Sequence, residues 1–165
     1  MNNENGGSTE HSNQELNSET LSQTDQRSLV FHLLYAADSA EYDSSLASIS
    51  DNFGRGFNVV IPQEGDVFKK AFSIIDERIA LDNLIISLTE NWRIERLGIV
   101  TKLITRIALW EFLHTDLDAL IIINEAIELA KCFGEKDSYK FINGILDNYK
   151  NRSQEEHPES NFLIR

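Results

Sequence analysis

The chain has one cysteine, Cys132, among 165 residues. An internal disulfide is therefore excluded, and a reducing cytoplasm fits that usage. No apolar run approaches the roughly 20 residues that span a bilayer, so no membrane partner is expected. Residues 1–26 contain no Lys, no Arg and no apolar block. That stretch is neither a secretory signal nor an Arg-rich transit peptide. The four histidines, His11, His32, His114 and His157, are scattered, and no His-x-x-x-His or Cys-x-x-Cys spacing offers a metal site. No Gly-x-x-x-x-Gly-Lys phosphate loop is present. Cys132 has only Lys131 as a cationic neighbour in sequence, and it reads as a small buried hydrophobe. The expectation is a protein without catalytic residues, without a metal and without a cofactor.

Cations are also scarce. Fifteen Lys and Arg face 27 Asp and Glu, a formal net charge of −12. The imbalance is uneven: residues 1–26 contribute −5, residues 153–165 contribute −2, and the body between them holds 14 cations against 19 carboxylates. Affinity for nucleic acid comes largely from cations on phosphates, so this acidity argues against bulk electrostatic binding. A small local basic patch remains compatible with it.

What is present is helical periodicity. The chain divides into an acidic, polar tail over 1–23, one domain over 24–152 and a second tail over 153–165. The first tail is too polar to offset its ordering entropy and is expected to be disordered. Phe162, Leu163 and Ile164 in the second tail are candidates for docking, although an unstructured end is the simpler reading. In the body the pattern predicts a helix over Thr24–Asp38 and a short one over Tyr42–Ser50. The stretch FGRGFNVVIPQEGD then reads as a loop, with Val59, Val60 and Ile61 as a strand that has no partner. Asp66 is placed as the cap of a helix whose buried stripe is Phe68, Ala71, Phe72, Ile75 and Ile79. A break is expected near Asp82, followed by a stripe of Leu81, Leu84, Ile85 and Leu88. Gly98 precedes a helix with Val100, Leu103, Ile104 and Ile107 inside. Asp118 caps the next, with Ile123, Ala126, Ile127, Ala130 and Phe133 inward and Gly134 as its stop. Asp137 caps the last, along which Phe141, Ile145 and Tyr149 align. The class is all-α, a compact bundle of six to seven helices with no fixed-period repeat.

The segment INEAIELAKCFGEKDSYKFINGILDNY, residues 123–149, closely resembles the carboxy-terminal signature of the NusB family of transcription antitermination factors. NWRIERL (91–97), TKLITRIALWEF (101–112) and RSLVFHLLYAAD (27–38) fall in the same order as that family's pieces. The resemblance covers about residues 25–150. It implies an all-α fold of two packed helical subdomains. It implies binding to the boxA element of ribosomal RNA leader transcripts, together with NusE, a small-subunit ribosomal protein, in support of RNA polymerase. It implies no reaction and no cofactor. Some family members form homodimers that bury their RNA surface. Two other readings stay open: a divergent adaptor that keeps the protein contact with little RNA affinity, and the RNA-positioning domain of an rRNA methyltransferase, which shares the fold.

The resemblance also nominates residues. Arg27 matches a basic residue of the family's first helix, where cations approach phosphates; the alternative is an ordinary surface Arg. The Arg-rich run that usually precedes it is replaced here by Ser22, Gln23, Thr24, Asp25 and Gln26, which removes several phosphate contacts. Asp137, Lys140 and Phe141 match the turn and last helix implicated in RNA contact. Phe141 either stacks a base or packs in the core, Asp137 is also explained as an N-cap, and Lys140 as a solvated charge. Lys102 and Arg106, four apart on one helix, form the best cationic pair of the body, joined by Lys131, or else pair with Glu95, Glu128 or Glu135. Tyr35 and Trp110 read as core. Asn124 and Glu125 are either a capping device or a partner contact. Gly144, inside a helical pattern, suggests close approach by a neighbouring helix, with Asn143 bonding a backbone group across that contact.

Overall fold

The computed structural model describes residues 15–89 and 93–156. Residues 1–14, 90–92 and 157–165 lie outside the described residues, and with them His11, Trp92, His157 and the Phe162 to Ile164 triplet. The described chain forms seven α-helices: α1 Gln23–Ser39, α2 Leu46–Phe57, α3 Asp66–Asp76, α4 Arg78–Leu88, α5 Ile99–His114, α6 Ala119–Phe133 and α7 Ser138–Glu156. Among the described residues no helix is long and apolar enough to cross a membrane.

The organising element is α5. Every residue from Leu103 to Leu109 is buried, including Thr105 and Arg106. A helix covered on all sides is the axis of a fold rather than its surface. Helices α1, α3, α4, α6 and α7 all pack on it. One lobe is α1–α3, with Val30, Leu33, Leu34, Val67, Ala71 and Ile74 buried. The other is α4–α7, with Leu81, Ile85, Ile122, Ala126, Leu129, Ile142 and Leu146 buried. Gly98 opens α5, and the Asp118 carboxylate accepts from the Leu120 amide at 2.8 Å to open α6, both as the sequence predicts.

Several local expectations are corrected. Residues 15–22 are not part of a disordered tail. Leu16–Asn17 forms a strand, β1, in parallel register with β2, Val59–Val60, so the orphan strand has its partner. Ser18 is fully buried in a 3-10 turn, and the Gln26 amide donates to the carbonyls of Ser18 and Leu21 at 3.1 and 3.3 Å. Backbone pairing, not side-chain hydrophobicity, holds this segment, and composition does not report it. Likewise α7 runs to Glu156, past the expected boundary at 152.

The second helix starts later and ends later than predicted. Glu41 and Tyr42 adopt left-handed φ of 52° and 61°, which ends α1 with a turn, and Ser45 caps α2. Gly54 sits inside α2: a Cβ there would lie 2.5 Å from the Val59 carbonyl oxygen. The glycine marks a close backbone return, not a loop. Asp66 is the first residue of α3 rather than its cap; its amide donates to the Glu19 carboxylate at 2.9 Å. The cap therefore comes from the amino-terminal strap. The stripe on α3 is Val67, Ala71 and Ile74; of the predicted residues Ala71 is fully buried and Phe68 and Ile75 are partly buried against the core, whereas Phe72 and Ile79 are 58% and 63% exposed. The break falls at Glu77, between α3 and α4, not at Asp82.

Gly134 ends α6 as the sequence predicts, in an extended conformation, and a Cβ there would collide with Ser138 Oγ. Two further corrections concern small residues. Gly144 is exposed, with nothing within 4 Å of the position a Cβ would take. No neighbouring helix presses on it, and Asn143 donates within its own helix to Asp147 Oδ2 at 3.1 Å. Cys132 is exposed rather than buried.

Candidate RNA and partner interface

The two cations nominated most directly for RNA are internal. Arg27 lies in the first turns of α1, 3% exposed. Its Nε donates to both oxygens of Glu111 at 2.9 and 3.1 Å, and its Nη1 lies 3.6 Å from Glu125. Lys70 of α3 reaches the same Glu111 at 2.7 Å, and Thr24 Oγ1 donates to Glu125 at 3.0 Å. Two cations and two carboxylates thus close a neutral network that ties α1, α3 and α6 to the axis helix. Unpaired buried charge is costly, so each member requires the others. Arg27 is a strut of the fold, not a surface cation. Glu125, nominated for a partner or a cap, belongs to this network from the middle of α6; Asn124 beside it is exposed.

Arg106 behaves the same way. Its guanidinium grips Asp82 with two bonds of 2.7 Å and donates to the Tyr42 hydroxyl at 3.1 Å; that hydroxyl donates to Asp38 at 2.9 Å. Burial alone would lower the guanidinium pKa, but the hydrogen bonds and charge of Asp82 outweigh it and leave it raised. Burial raises the Tyr42 pKa. Lys102, one turn earlier on α5, is half-buried, so the expected Lys102–Arg106 surface pair does not form.

The α6–α7 turn gathers the remaining nominees. Asp137 adopts a left-handed φ of 67°, and its carboxylate pairs with Lys140 at 3.2 Å. That hydrogen bond, with the Asp137 charge, raises the Lys140 pKa. Phe141 follows one residue later, half-buried against the core. Lys131, paired with Glu128 at 3.1 Å, approaches the Tyr139 ring to 5.8 Å, and Lys140 approaches it to 6.0 Å from the other helix. Tyr139 was not nominated; its signal was the pair of lysines that the turn brings around it. The turn also leaves Ser138 Oγ buried without a hydrogen-bond partner.

From the end of α6 a row of rings crosses the surface. Phe133 stacks on Phe31 at 4.8 Å and meets His32 edge-on at 5.1 Å; His32 stacks on Phe53 at 5.7 Å, and Phe53 on Phe57 at 4.4 Å. Tyr35 continues the row beside Phe31 at 6.2 Å. Phe57, Tyr35 and Phe133 are 68%, 44% and 36% exposed, so Tyr35 is not a core residue. Burial among these rings lowers the His32 pKa, which keeps its ring neutral near pH 7. Trp110, expected in the core, is half-buried against it, its indole N–H donating to Ser73 at 2.8 Å. Among the described residues no group of His, Cys, Asp or Glu could hold a metal ion.

Comparison with known proteins gives these features a context. The family model described as the NusB family matches residues 24–151. The transcription antitermination protein NusB of Geotalea uraniireducens is 37% identical over 133 residues, spanning 76% of this chain and 92% of that protein. The NusB of Macrococcus caseolyticus is 32% identical over 128 residues, spanning 76% and 94%. A solved structure of T. maritima NusB superposes with a TM-score of 0.69 at 27% identity, covering 82% of this chain and 98% of that one. Proteins of this family are non-enzymatic RNA-binding factors that act with NusE and RNA in antitermination. With an all-α body built around α5 and relatives matched over nearly their full length, the chain belongs to the NusB family of transcription antitermination factors.

Proposed function

We propose that this chain binds boxA-type RNA of ribosomal leader transcripts jointly with a NusE-type ribosomal protein, in the cytoplasm, as part of an RNA polymerase complex reading ribosomal RNA operons. The observation that carries this is the α6–α7 turn, where Asp137, Lys140 and Tyr139 meet, next in sequence to Phe141, at the end of a partly exposed aromatic row. Unpaired RNA bases are read by stacking on aromatic faces and by their edges. Asp137 supplies an acceptor, Lys140 and Lys131 supply charge, and the rings supply stacking surface. Lys102 is the remaining candidate for a phosphate. Asn124, exposed on α6, is the candidate for the protein contact.

The geometry also bears on affinity. Arg27 and Arg106 are spent on internal pairs, and Lys131 and Lys140 each have a carboxylate at hand. Few phosphates are left for this chain to neutralise alone. The partner supplies the missing contacts, and a joint surface raises affinity through effective concentration. The test measures boxA and scrambled RNA with and without the NusE-type protein at two salt concentrations. Expected are weak binding alone with a shallow salt slope, about 0.7 per phosphate contact on single strands, and tighter, sequence-selective binding in the complex. In the complex, Phe141→Ala costs about 1–3 kcal/mol if its ring stacks a base. Equal binding of boxA and scrambled RNA by the complex defeats this reading. It would favour the divergent adaptor, which the internal placement of Arg27 and Arg106 already supports. Light scattering alongside the titration registers a homodimer that competes for the same face.

A further inference from the structure

The aromatic row ends in a groove for which the packing of the bundle gives no reason. It lies between the 15–22 strap, α1 and α2 and has a volume of about 350 Å³. That is the small end of the roughly 300–1,000 Å³ of ligand sites. Leu16, Leu21, Leu29 and Val59 give it an apolar lining. Phe53 and Phe57 of α2 give it an aromatic wall, the two rings stacked at 4.4 Å. Phe53 covers one face of Phe57, yet Phe57 remains 68% exposed. The column His32–Phe53–Phe57 therefore stops at a ring with a face to spare.

The α1 wall of the groove is polar. Asp25, Ser28 and His32 recur at i, i+3 and i+7 on α1 and so stand in one line along it. One oxygen of Asp25 accepts from Ser22 Oγ at 2.7 Å, which leaves the other for a further donor. Among the described residues neither the Ser28 hydroxyl nor a ring nitrogen of His32 has a hydrogen-bond partner. The neutral His32 ring offers one donor and one acceptor. Such a ladder selects among occupants. An aliphatic side chain of a protein partner would cover the apolar lining but leave the ladder unpaired, which is costly once water is excluded. A phosphate would be repelled by the Asp25 carboxylate. A neutral, flat ring with hydrogen-bonding edges satisfies both walls.

We propose that this groove takes one unpaired nucleobase of the bound RNA, stacked on Phe57 with its edge against Asp25, Ser28 and His32. The inference rests on the RNA reading above. It adds a second point of contact, joined to the α6–α7 turn by the Phe133–His32–Phe53 row. A carboxylate only accepts, so the base that fits best presents an amino group. Guanine, adenine and cytosine do so; uracil has a single imino donor set between two carbonyl oxygens. The acid also orients the nucleotide, base inward and phosphates outward.

The test uses the full chain with the NusE-type protein and a set of boxA RNAs, each lacking the base of a different nucleotide in the element or its flanks. Affinities are measured for the parent and for Phe57→Ser, an exposed position whose folding is followed by urea denaturation. Expected is one nucleotide whose base removal weakens the parent complex about fivefold to a hundredfold, the range for one base on an aromatic ring. The same removal should weaken the Phe57→Ser complex less than about twofold, because the two changes delete one contact. At that nucleotide the parent should bind uracil more weakly than the other three bases, and Asp25→Asn should shrink the difference. If the complex selects boxA but base removal costs the same in parent and variant at every nucleotide, the proposal falls while the RNA reading stands. If the complex binds boxA and scrambled RNA equally, the RNA reading falls and takes the proposal with it. If Phe57→Ser weakens binding of the NusE-type protein without RNA, the groove seats that protein, which also overturns the proposal.

Discussion

Arg27→Ala separates a structural role from an RNA contact. The guanidinium is 4% exposed at the side chain and holds Glu111, itself 1% exposed, with two hydrogen bonds. Removing one partner of a buried pair costs about 3–5 kcal/mol when the other charge is stranded. Glu111 would not be fully stranded, because Lys70 stays at 2.7 Å, which points to the lower end. Glu125 would lose its nearest guanidinium but keeps Thr24 and partial solvent contact. An expected loss of about 3 kcal/mol is about a hundredfold in the folding equilibrium, out of a typical total of about 5–15 kcal/mol. Glu111→Gln should cost at least as much, since it leaves Arg27 buried with only Glu125 at 3.6 Å. Urea denaturation measures both, and buried pairs are little screened, so the loss should persist in high salt. RNA affinity of the residual folded protein, measured with the NusE-type partner, should keep its salt slope. Stability within about 0.5 kcal/mol of the parent, together with a slope reduced by about 0.7, refutes the strut and restores Arg27 as a phosphate contact.

Gly144→Ala should stabilise the protein by about 0.5–1 kcal/mol in urea denaturation, because the position is helical, exposed and unobstructed. Glu19→Ala removes the acceptor of the Asp66 amide and should cost about 1 kcal/mol, with faster exchange at that amide. The lowered His32 pKa means the unfolded chain binds the proton more readily. Stability from this residue is therefore fully present above pH 6.5 and is lost as pH falls through that value toward the folded pKa. Denaturation midpoints followed between pH 7.5 and 5 should show this decline, and His32→Gln should flatten it.

The fold class was legible because apolar residues recur at helical spacing along most of the body. Elements held by backbone or polar contacts were not. The strap at 15–22 has no apolar pattern, and its order comes from pairing with Val59 and Val60 and from the Glu19 cap. On α3, aromatic and aliphatic residues both recur at helical spacing. Ala71 belongs to both sets, and only the packed neighbours reveal that Val67 and Ile74 are buried beside it. Gly54 and Gly144 show the same limit from two sides: one is required by a carbonyl 2.5 Å from its missing Cβ, the other by nothing nearby.

Charge in the sequence counts residues, whereas recognition counts free charges, and the two diverge most at this protein's arginines. A cation on an apolar helical face is destined inward with its carboxylate, and Arg27 and Arg106 both occupy such faces. Had they been exposed, the chain alone would carry a phosphate-binding stripe along α1 and α5. Paired inside, Arg27 with Lys70, Glu111 and Glu125 ties α1, α3 and α6 to α5, and Arg106 with Asp82 ties α4 to it. That rigidity is obtained at the expense of electrostatic reach. On the proposed reading, a protein built this way would discriminate through shape and stacking and would draw its phosphate contacts from its partner. Assembly on RNA would then follow partner supply rather than this chain's concentration alone.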